Sequence, residues 1–190
     1  MSIILDIIGS VIIGSLLLLM LITFQYRMQE SGDRYLFMKE MTAHIDQAAV
    51  KLNKVIALAG VGFLPDNTVV YATTDSLVFN TYWNYETDSM QLIPVTISIK
   101  LSTLPSPLGK TLVIRQNGVP LEDLGYIFWV HGLTFKYYDK FDALTTEKEK
   151  VRAAELWLSF SRTSTPTGAP DLVNRIQVKC FLMNTYMQGA

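Results

Sequence analysis

The chain has 190 residues, and its 16 lysines and arginines against 17 aspartates and glutamates give a formal net charge of −1. A chain this close to neutral lacks the basic surface with which proteins bind nucleic acid. Its single cysteine excludes an intrachain disulfide framework and a cysteine-built metal site, and its two histidines leave little for a histidine-rich metal cluster.

The apolar residues are concentrated at the amino terminus. Residues 3–24 carry one charged side chain, Asp6. At about 1.5 Å of rise per residue they form about 33 Å of helix, enough to cross a hydrocarbon core. Tyr26 and Arg27 follow at the depth of the membrane interface. Because no lysine or arginine precedes the run, we expect a retained membrane-spanning helix in residues 1–26 rather than a cleaved signal peptide.

Residues 27–62 predict an amphipathic helix that continues the first one. Apolar residues recur there at alternating spacings of three and four, which is typical of a helix buried along one stripe. These residues are Met38, Met41, Ile45, Ala48, Leu52, Val55 and Ala59. Gly32 either interrupts the helix or only weakens it, so the first sixty residues form one long helix or two nearly collinear helices. Gly60, Gly62 and Pro65 predict the helix end.

Residues 63–190 predict an antiparallel β-sheet domain. Apolar and polar residues alternate along short β-branched and aromatic runs, as expected for strands with one buried and one wet face. The runs lie at residues 69–73, 77–82, 95–101, 112–116, 133–138, 154–160 and 176–182. Asn117-Gly118 predicts a tight hairpin turn, and residues 163–170 predict a surface loop. We therefore expect an α+β fold in which the long N-terminal helix packs on one antiparallel sheet.

Four short motifs follow one another in the β-rich part. They are DSLVF at residues 75–79, LVIR at 112–115, VHGLTFKYYD at 130–139 and VKCFLMN at 178–184. With the apolar helix that runs directly into an amphipathic one, their order resembles the type IV pilin and type II secretion pseudopilin superfamily, in particular its larger minor subunits. The resemblance covers nearly the whole chain. It implies a structural filament subunit with no enzymatic activity and no cofactor.

The resemblance also implies a role for Asp6. Pilins carry a glutamate at the fifth mature position inside the apolar segment, and removal of Met1 would make Ser2 the first residue and Asp6 the fifth. A carboxylate in an apolar segment is costly to bury and needs a partner. In pilin-like assembly that partner is a free N-terminal amine, which sets the axial register. The alternative is that Asp6 is solvated at headgroup level and has no role.

The first helix also contains small residues that suit close helix packing. Gly9 and Gly14, each followed by a serine, allow neighbouring helices to approach closely. The two glycines also allow the helix to bend or unwind locally, although glycine is common in membrane helices generally. We therefore expect this segment to exchange lipid contacts for contacts with other subunits during assembly.

Signals for catalysis and for metal binding are weak. His44 lies on the predicted helix and His131 next to a predicted strand, and no G-x-S-x-G elbow accompanies either. We therefore expect a packed or edge histidine at His131 rather than a general base, and no enzyme. Asn84, Glu86 and Asp88 offer oxygen ligands two residues apart, but they lack the glycine and the distal glutamate of an EF-hand. A solvated turn is the preferred interpretation, with calcium as the weaker one.

These features predict the partners and the location. We expect copies of this chain or related pilin-like subunits as partners, with lipid before assembly, and neither nucleic acid nor a small-molecule substrate. The resemblance implies an inner-membrane protein with its domain outside the cytoplasm, or an extracellular filament. The positive-inside rule, applied to Arg27, Arg34 and Lys39, would instead leave the domain in the cytoplasm. Two alternatives remain open: a bitopic scaffold protein of an envelope complex that does not polymerise, and a membrane-anchored binding domain.

Overall fold

The computed structural model describes residues 2–106, 109–121, 128–162 and 172–188. The two α-helices are α1 (Ser2–Ala57) and α2 (Met183–Gln188). The strands are β1 (Val69–Ala72), β2 (Ser76–Asn84), β3 (Ser89–Ser106), β4 (Gly109–Gln116), β5 (Val119–Pro120), β6 (Phe128–Val130), β7 (Gly132–Tyr138), β8 (Ala153–Arg162) and β9 (Leu172–Phe181). Single 3₁₀ turns span Pro65–Asn67 and Lys148–Lys150. The predicted α+β class is confirmed.

Helix α1 is one uninterrupted helix of 56 residues, which corresponds to a length of about 84 Å. Gly32 lies inside it, so of the two arrangements expected from the sequence the single long helix is the one observed. A glycine costs only about 1 kcal/mol of helix stability relative to alanine. In this chain that cost does not interrupt the helix. The helix ends before Gly60, whose φ of +74° is a left-handed conformation that a glycine adopts readily.

The strands form two antiparallel sheets, and the expectation of a single sheet was wrong. One sheet has the order β1-β2-β3-β4-β5, with β6 also paired to β4, and the other has the order β7-β8-β9. The chain leaves the first sheet at His131, between β6 and β7. The backbone N–H of Phe135 donates to the Thr74 carbonyl at 2.8 Å, and the Tyr137 hydroxyl donates to the Thr73 carbonyl at 2.8 Å. The two sheets are therefore joined along the β7 side of the second sheet.

The sequence pattern predicted the β4–β5 hairpin correctly but not the helix at the end of the chain. Asn117 and Gly118 both have positive φ, 50° and 85°, which is the predicted tight turn between β4 and β5. The β-sheet domain expected at residues 63–190 also contains a helix, α2, which the sequence pattern did not predict. The predicted run 176–182 begins four residues after β9 does and ends one residue beyond it, because β9 spans Leu172–Phe181. The loop predicted at residues 163–170 lies outside the described residues.

The core lies between the C-terminal part of α1 and the inner faces of the sheets. Ile45, Ala48, Leu52, Val55 and Ala59 are all buried, as their spacing predicts. The predicted stripe nevertheless extends too far toward the amino terminus. Its first residue, Met38, is 54 % exposed, and Met41 packs only at the edge of the core. The expected burial was wrong for Met38 and holds only in part for Met41, because the helix continues beyond the core.

Side chains from the strands and from α2 fix the C-terminal end of α1. The Tyr85 hydroxyl donates to the Val55 carbonyl at 2.6 Å, and the Thr81 hydroxyl donates to the Leu58 carbonyl at 2.8 Å. Helix ends leave carbonyls without intrahelical partners, and here the Val55 carbonyl is bound by Tyr85, while the Leu58 carbonyl accepts both Thr81 and the backbone N–H of Val61 at 3.4 Å. Burial raises the pKa of Tyr85, so its hydroxyl remains a neutral donor at physiological pH. The helix is thus held to the β-sheet domain at one end.

Candidate membrane and assembly surface

The N-terminal two-thirds of α1 has no fully buried side chain among those that the structure describes. Among the described side chains of the helix, Ile45 is the first that is buried. The described large apolar side chains of residues 3–24 are each between 53 % and 73 % exposed. Nearly all of the apolar surface that the sequence places at the amino terminus therefore lies uncovered by the rest of the chain.

One helix among the described residues is long and apolar enough to cross a membrane. Its most apolar 18-residue window has a mean hydropathy of 2.6, and none of that window is buried. The hydroxyls of Ser10, Ser15 and Thr23 donate to carbonyls of the preceding turn at 2.8–2.9 Å. Their hydrogen bonds are therefore made within the helix, as a lipid environment requires.

Asp6 lies near the amino-terminal end of α1, and its side chain is exposed. It makes no ion pair with any part of the chain that the structure describes. Its expected partner, the N-terminal amine, belongs to Met1 or to Ser2 once Met1 is removed. Met1 and the Ser2 side chain lie outside the described residues. The pairing of Asp6 with an amine therefore stays a prediction.

Gly9 and Gly14 lie on open faces of α1. A methyl group added at either position would meet no atom within 4 Å. No side chain of this chain fills the space beside them in the described structure. The helix runs through both glycines without interruption, so no local unwinding occurs here. The two positions are therefore available to a neighbouring helix, as their small size predicts.

The apolar surface of α1 continues past the segment that a membrane can cover. Four large apolar side chains within residues 28–38 are at least 54 % exposed. They are Met28, Tyr35, Leu36 and Met38. From Ile3 to Met38 the helix runs about 53 Å, and a hydrocarbon core of about 30 Å would accommodate that length only at a tilt of about 55°. Membrane helices tilt by at most about 40°.

The same part of the helix carries charges of both signs. Arg27, Glu30, Asp33, Arg34 and Lys39 all lie between the apolar segment and the core. Such residues are rarely placed in hydrocarbon. We call residues 25–44 the stalk. It is a largely exposed helical segment, in which Met28, Tyr35, Leu36 and Met38 are left uncovered by the β-sheet domain and Met41 packs at the edge of the core.

The β-sheet domain has an exposed apolar group of its own. Between the pairs Thr81↔Val95 and Trp83↔Met90 the register of β2 and β3 shifts, so residues 91–94 bulge out of the sheet. Leu92 is 98 % exposed, and its neighbour Ile93 is 73 % exposed. Large apolar groups exposed together in this way often mark contacts with another protein.

The weak calcium candidates lie in a hydrogen-bonded turn. The Asn84 Oδ1 atom accepts the backbone N–H of Glu86 at 2.8 Å and the Gln116 side-chain amide at 2.9 Å. Asp88 instead pairs with Lys54 on α1 at 3.5 Å. Asn84 thus uses its oxygen to hold the turn. Within the described ranges no three His, Cys, Asp or Glu side chains are grouped as metal ligands.

The two histidines lie on separate elements. His44 is exposed on the stalk, and His131 is exposed between β6 and β7. Neither imidazole makes a side-chain hydrogen bond in the described part of the chain, whereas the His131 backbone N–H donates to the Ser159 carbonyl at 2.7 Å. The structure therefore places His131 at a sheet junction, in the edge position that we expected for it.

A polar cluster that the sequence analysis missed lies on the outer face of the β7-β8-β9 sheet. Glu155, at its centre, is only 5 % exposed. Its carboxylate accepts the Tyr138 hydroxyl at 2.5 Å, the Gln177 amide at 2.9 Å and the indole N–H of Trp157. Cross-strand alternation places these residues on one face, but no local motif shows that three donors converge on one carboxylate.

The electrostatics of this cluster are consistent with an ionised carboxylate. Burial acts to raise the pKa of Glu155, but the donors on Tyr138 and Trp157 and the charges of Lys136 and Lys179 outweigh it and lower the pKa. The Tyr138 pKa is raised, chiefly by its hydrogen bond to Glu155. The cluster therefore consists of an anion with neutral donors and two flanking cations.

The described chain thus offers two candidate functional surfaces. The first is the uncovered length of α1 together with the bulge at residues 91–94. The second is the polar and aromatic outer face of the β7-β8-β9 sheet around Glu155. No known protein family, no curated protein and no solved structure matches this chain.

Proposed function

We propose that this chain is a structural subunit of a type IV pilus-like or pseudopilus-like filament. Residues 3–24 anchor the subunit in the membrane before assembly, and copies of this chain or related subunits are its partners. The observation that supports this proposal most directly is the apolar surface of α1. It runs about 53 Å from Ile3 to Met38, and apart from the half-buried Phe37 the rest of the described chain leaves its described large apolar side chains more than half exposed.

A membrane alone accounts for only part of this surface. Lipid would cover the side chains of residues 3–24, but Tyr35 and Met38 lie on the charged stalk, about 17–21 Å beyond Phe24. Apolar side chains at such positions need a protein surface to leave water. Because they continue the stripe that is buried from Ile45 onward, a second protein surface that follows the helix would cover both regions.

Assembly exchanges one apolar environment for another. Lipid tails and neighbouring helices are similarly apolar, so moving residues 3–24 from lipid into a bundle of sister helices is nearly balanced in free energy. Gly9 and Gly14, which have open space beside them, allow the close approach that gives such a bundle its van der Waals contacts. Asp6 would pair with an N-terminal amine of its own or a neighbouring copy and so set the axial register.

The proposal includes a location. Before assembly the β-sheet domain stands outside the cytoplasm on an inner-membrane anchor, and after assembly it forms the outer layer of an extracellular filament. The bulge at residues 91–94, with Leu92 almost fully exposed, supplies an apolar contact between neighbouring domains. In this role the chain acts through its surfaces and performs no chemistry.

One observation favours a second candidate. Arg27, Arg34 and Lys39 all follow the apolar segment, and this charge pattern alone favours a cytoplasmic domain. A bitopic scaffold that holds the domain on that side, with the stalk covered by a different protein of the complex, would satisfy this pattern. Such a scaffold would not polymerise.

Cysteine cross-linking on the stalk tests the proposal in native membranes. Burial raises the pKa of the single native cysteine, Cys180, to about 11, so the wild-type chain provides an unreactive background. Tyr35→Cys places a thiol on the apolar stripe. Asp33→Cys places one at nearly the same height on the charged side and serves as the matched control. Amine-reactive cross-linking of the wild type then measures how many copies associate.

The two candidates give different results. A filament subunit forms disulfide-linked pairs through Tyr35→Cys at least severalfold faster than through Asp33→Cys, and amine cross-linking gives a ladder of many copies. A scaffold covered by other proteins gives little self-cross-linking at either cysteine and products that contain other chains. Equal slow rates at both cysteines, with no ladder, would contradict the filament.

A further inference from the structure

The outer face of the β7-β8-β9 sheet carries a cleft of about 390 Å³. Gly132 and Ser159 are cross-strand partners, and their small side chains leave a depression in the sheet face. Trp157 on β8 and Arg175 on β9, which pairs with Ser159, both line the cleft. A Cβ atom at Gly132 would approach the Ser159 hydroxyl to 2.8 Å, so only glycine leaves this space open without a shift of Ser159.

The aromatic side of the cleft is held in place from below. The buried Glu155 carboxylate accepts the indole N–H of Trp157, and it is itself held by Tyr138 and Gln177. A buried carboxylate is costly unless it is fully hydrogen-bonded. Here its bonds fix the Trp157 ring, which remains 37 % exposed, before any ligand arrives. Fixing an aromatic side chain in advance reduces the entropy lost on binding.

Two cations border the exposed ring. The Lys136 Nζ atom lies 5.3 Å from the centroid of the Trp157 ring. Arg175 is exposed and lines the same cleft, and in the described residues it forms no ion pair. A third cation, Lys179, is already paired with Asp142. The cleft therefore contains an apolar ring, a lysine that lies over that ring and also acts on Glu155, and an arginine that forms no ion pair among the described residues.

We propose that this cleft binds an acidic saccharide, in which a sugar ring stacks on Trp157 and its carboxylate is held by Arg175 and Lys136. The C–H bonds of a sugar carry a small positive charge that complements the negative face of an aromatic ring. Arginine binds carboxylates through two parallel hydrogen bonds. Thr134 and Ser159 supply hydroxyls for those of the sugar.

Single-stranded nucleic acid is the main rival, because it also binds to aromatic and cationic side chains. The charge on this face favours the saccharide. Lys136, Arg175 and Lys179 stand against Glu155 and Asp142, which leaves a small positive excess. Tight binding to nucleic acid requires many phosphates to be neutralised. An acidic saccharide with one carboxylate per sugar needs only the pair of cations at the cleft.

Calorimetric titration of the full-length protein in detergent micelles tests this inference. The probe is hexagalacturonate, an acidic saccharide. The comparison ligands are maltohexaose, which is neutral, and a short single-stranded oligonucleotide, all at physiological ionic strength. We expect hexagalacturonate to bind at least about tenfold more tightly than either comparison ligand, which corresponds to about 1.4 kcal/mol.

Matched variants locate the site. Trp157→Ala and Arg175→Gln should each weaken hexagalacturonate binding about tenfold, since one removes the stacking surface and the other the carboxylate partner. Trp129→Ala is the control for the first variant, because Trp129 is 38 % exposed on β6 of the other sheet. Lys100→Gln, on the exposed side of β3, is the control for the second. Neither control should change the affinity.

Several outcomes would overturn the inference. They are equal affinity for maltohexaose, preferred binding of the oligonucleotide, and unchanged affinity in both Trp157→Ala and Arg175→Gln. Thermal unfolding checks that each variant folds. If Trp157→Ala does not fold, Trp157→Phe, which keeps a ring, and Arg175→Gln still decide the result. Binding here does not depend on filament assembly, so failure of one proposal leaves the other in place.

Discussion

Both ends of helix α1 carry many apolar side chains, but the environments of those side chains are opposite. From Ile45 to Ala59 the apolar stripe is buried against the two sheets, whereas the described large apolar side chains from Ile3 to Met38, apart from the half-buried Phe37, are more than half exposed. The helix is continuous between them. A sequence pattern therefore indicates that a helix face will be covered, but it does not indicate whether the covering surface belongs to the same chain.

The largest expected effect is on the free energy of unfolding, which should respond differently to substitutions at the two ends of α1. Leu52→Ala, in the buried half, should lower the free energy of unfolding by about 2–5 kcal/mol, because it leaves a cavity in the core. Leu36→Ala, on the exposed stalk, is the matched control and should change it by no more than about 0.5 kcal/mol. Urea unfolding of the detergent-solubilised protein measures both. Similar losses in the two variants would show that the stalk is covered within one chain.

Substitution of Asp6 tests whether the exposed end of α1 takes part in assembly. Asp6→Asn keeps the size of the side chain and removes its charge, so pairing with an amine is lost while the membrane anchor remains. We expect the sedimentable, polymerised fraction to fall about tenfold, equivalent to about 1.4 kcal/mol. Asp46→Asn, an exposed position on the same helix within the β-sheet domain, should leave assembly unchanged. Full assembly of Asp6→Asn would mean that Asp6 is solvated and idle.

Acid titration tests the buried carboxylate of Glu155 on the outer face of the β7-β8-β9 sheet. The pKa of Glu155 is lowered in the folded chain, so its contribution to stability is present above its unfolded pKa of about 4.3. That contribution is lost as the pH falls through the folded pKa. Wild type should therefore exceed Glu155→Gln in unfolding free energy at neutral pH, and the difference should shrink below about pH 4.3. A difference that is constant down to strongly acidic pH would contradict the lowered pKa.

The smallest effect on stability is expected at the bulge of the β-sheet domain. Leu92 is 98 % exposed, so Leu92→Gln should change the free energy of unfolding by less than about 0.5 kcal/mol. If the bulge contacts a neighbouring copy, the same substitution should raise the protein concentration needed for polymerisation severalfold. Lys100→Gln serves as an exposed control on the same strand. An unchanged critical concentration in Leu92→Gln would remove the bulge from the assembly surface.

Local periodicity predicted the helix, most strands and the α+β class. The spacing of Ile45, Ala48, Leu52, Val55 and Ala59 depends only on neighbours along the chain, and all five are buried. The same spacing failed at Met38, because it contains no information on where the sheets end. The division into two sheets was missed for a similar reason, since alternation shows which face of a strand is buried but not which strand lies beside it.

The candidate surfaces differ in how far they could be foreseen. The apolar segment and the small residues Gly9 and Gly14 are visible in the sequence, because membrane insertion depends on composition and length. The cluster at Glu155 was not foreseen, since it depends on three strands in register. Trp157 two residues after Glu155, on the same face of one strand, was the available signal. The spacing of Glu155 and Trp157 becomes informative only once Tyr138 and Gln177 are known to donate to the same carboxylate.

The central claim is that other copies of this chain cover the exposed length of α1. Electron cryomicroscopy of the full-length protein, sheared or gently extracted from membranes that contain it, tests that claim most directly. We expect a helical array with residues 3–38 of each copy packed against the same segment of its neighbours and the β-sheet domains outside. Single copies whose α1 is surrounded only by lipid, detergent or unrelated helices would contradict it.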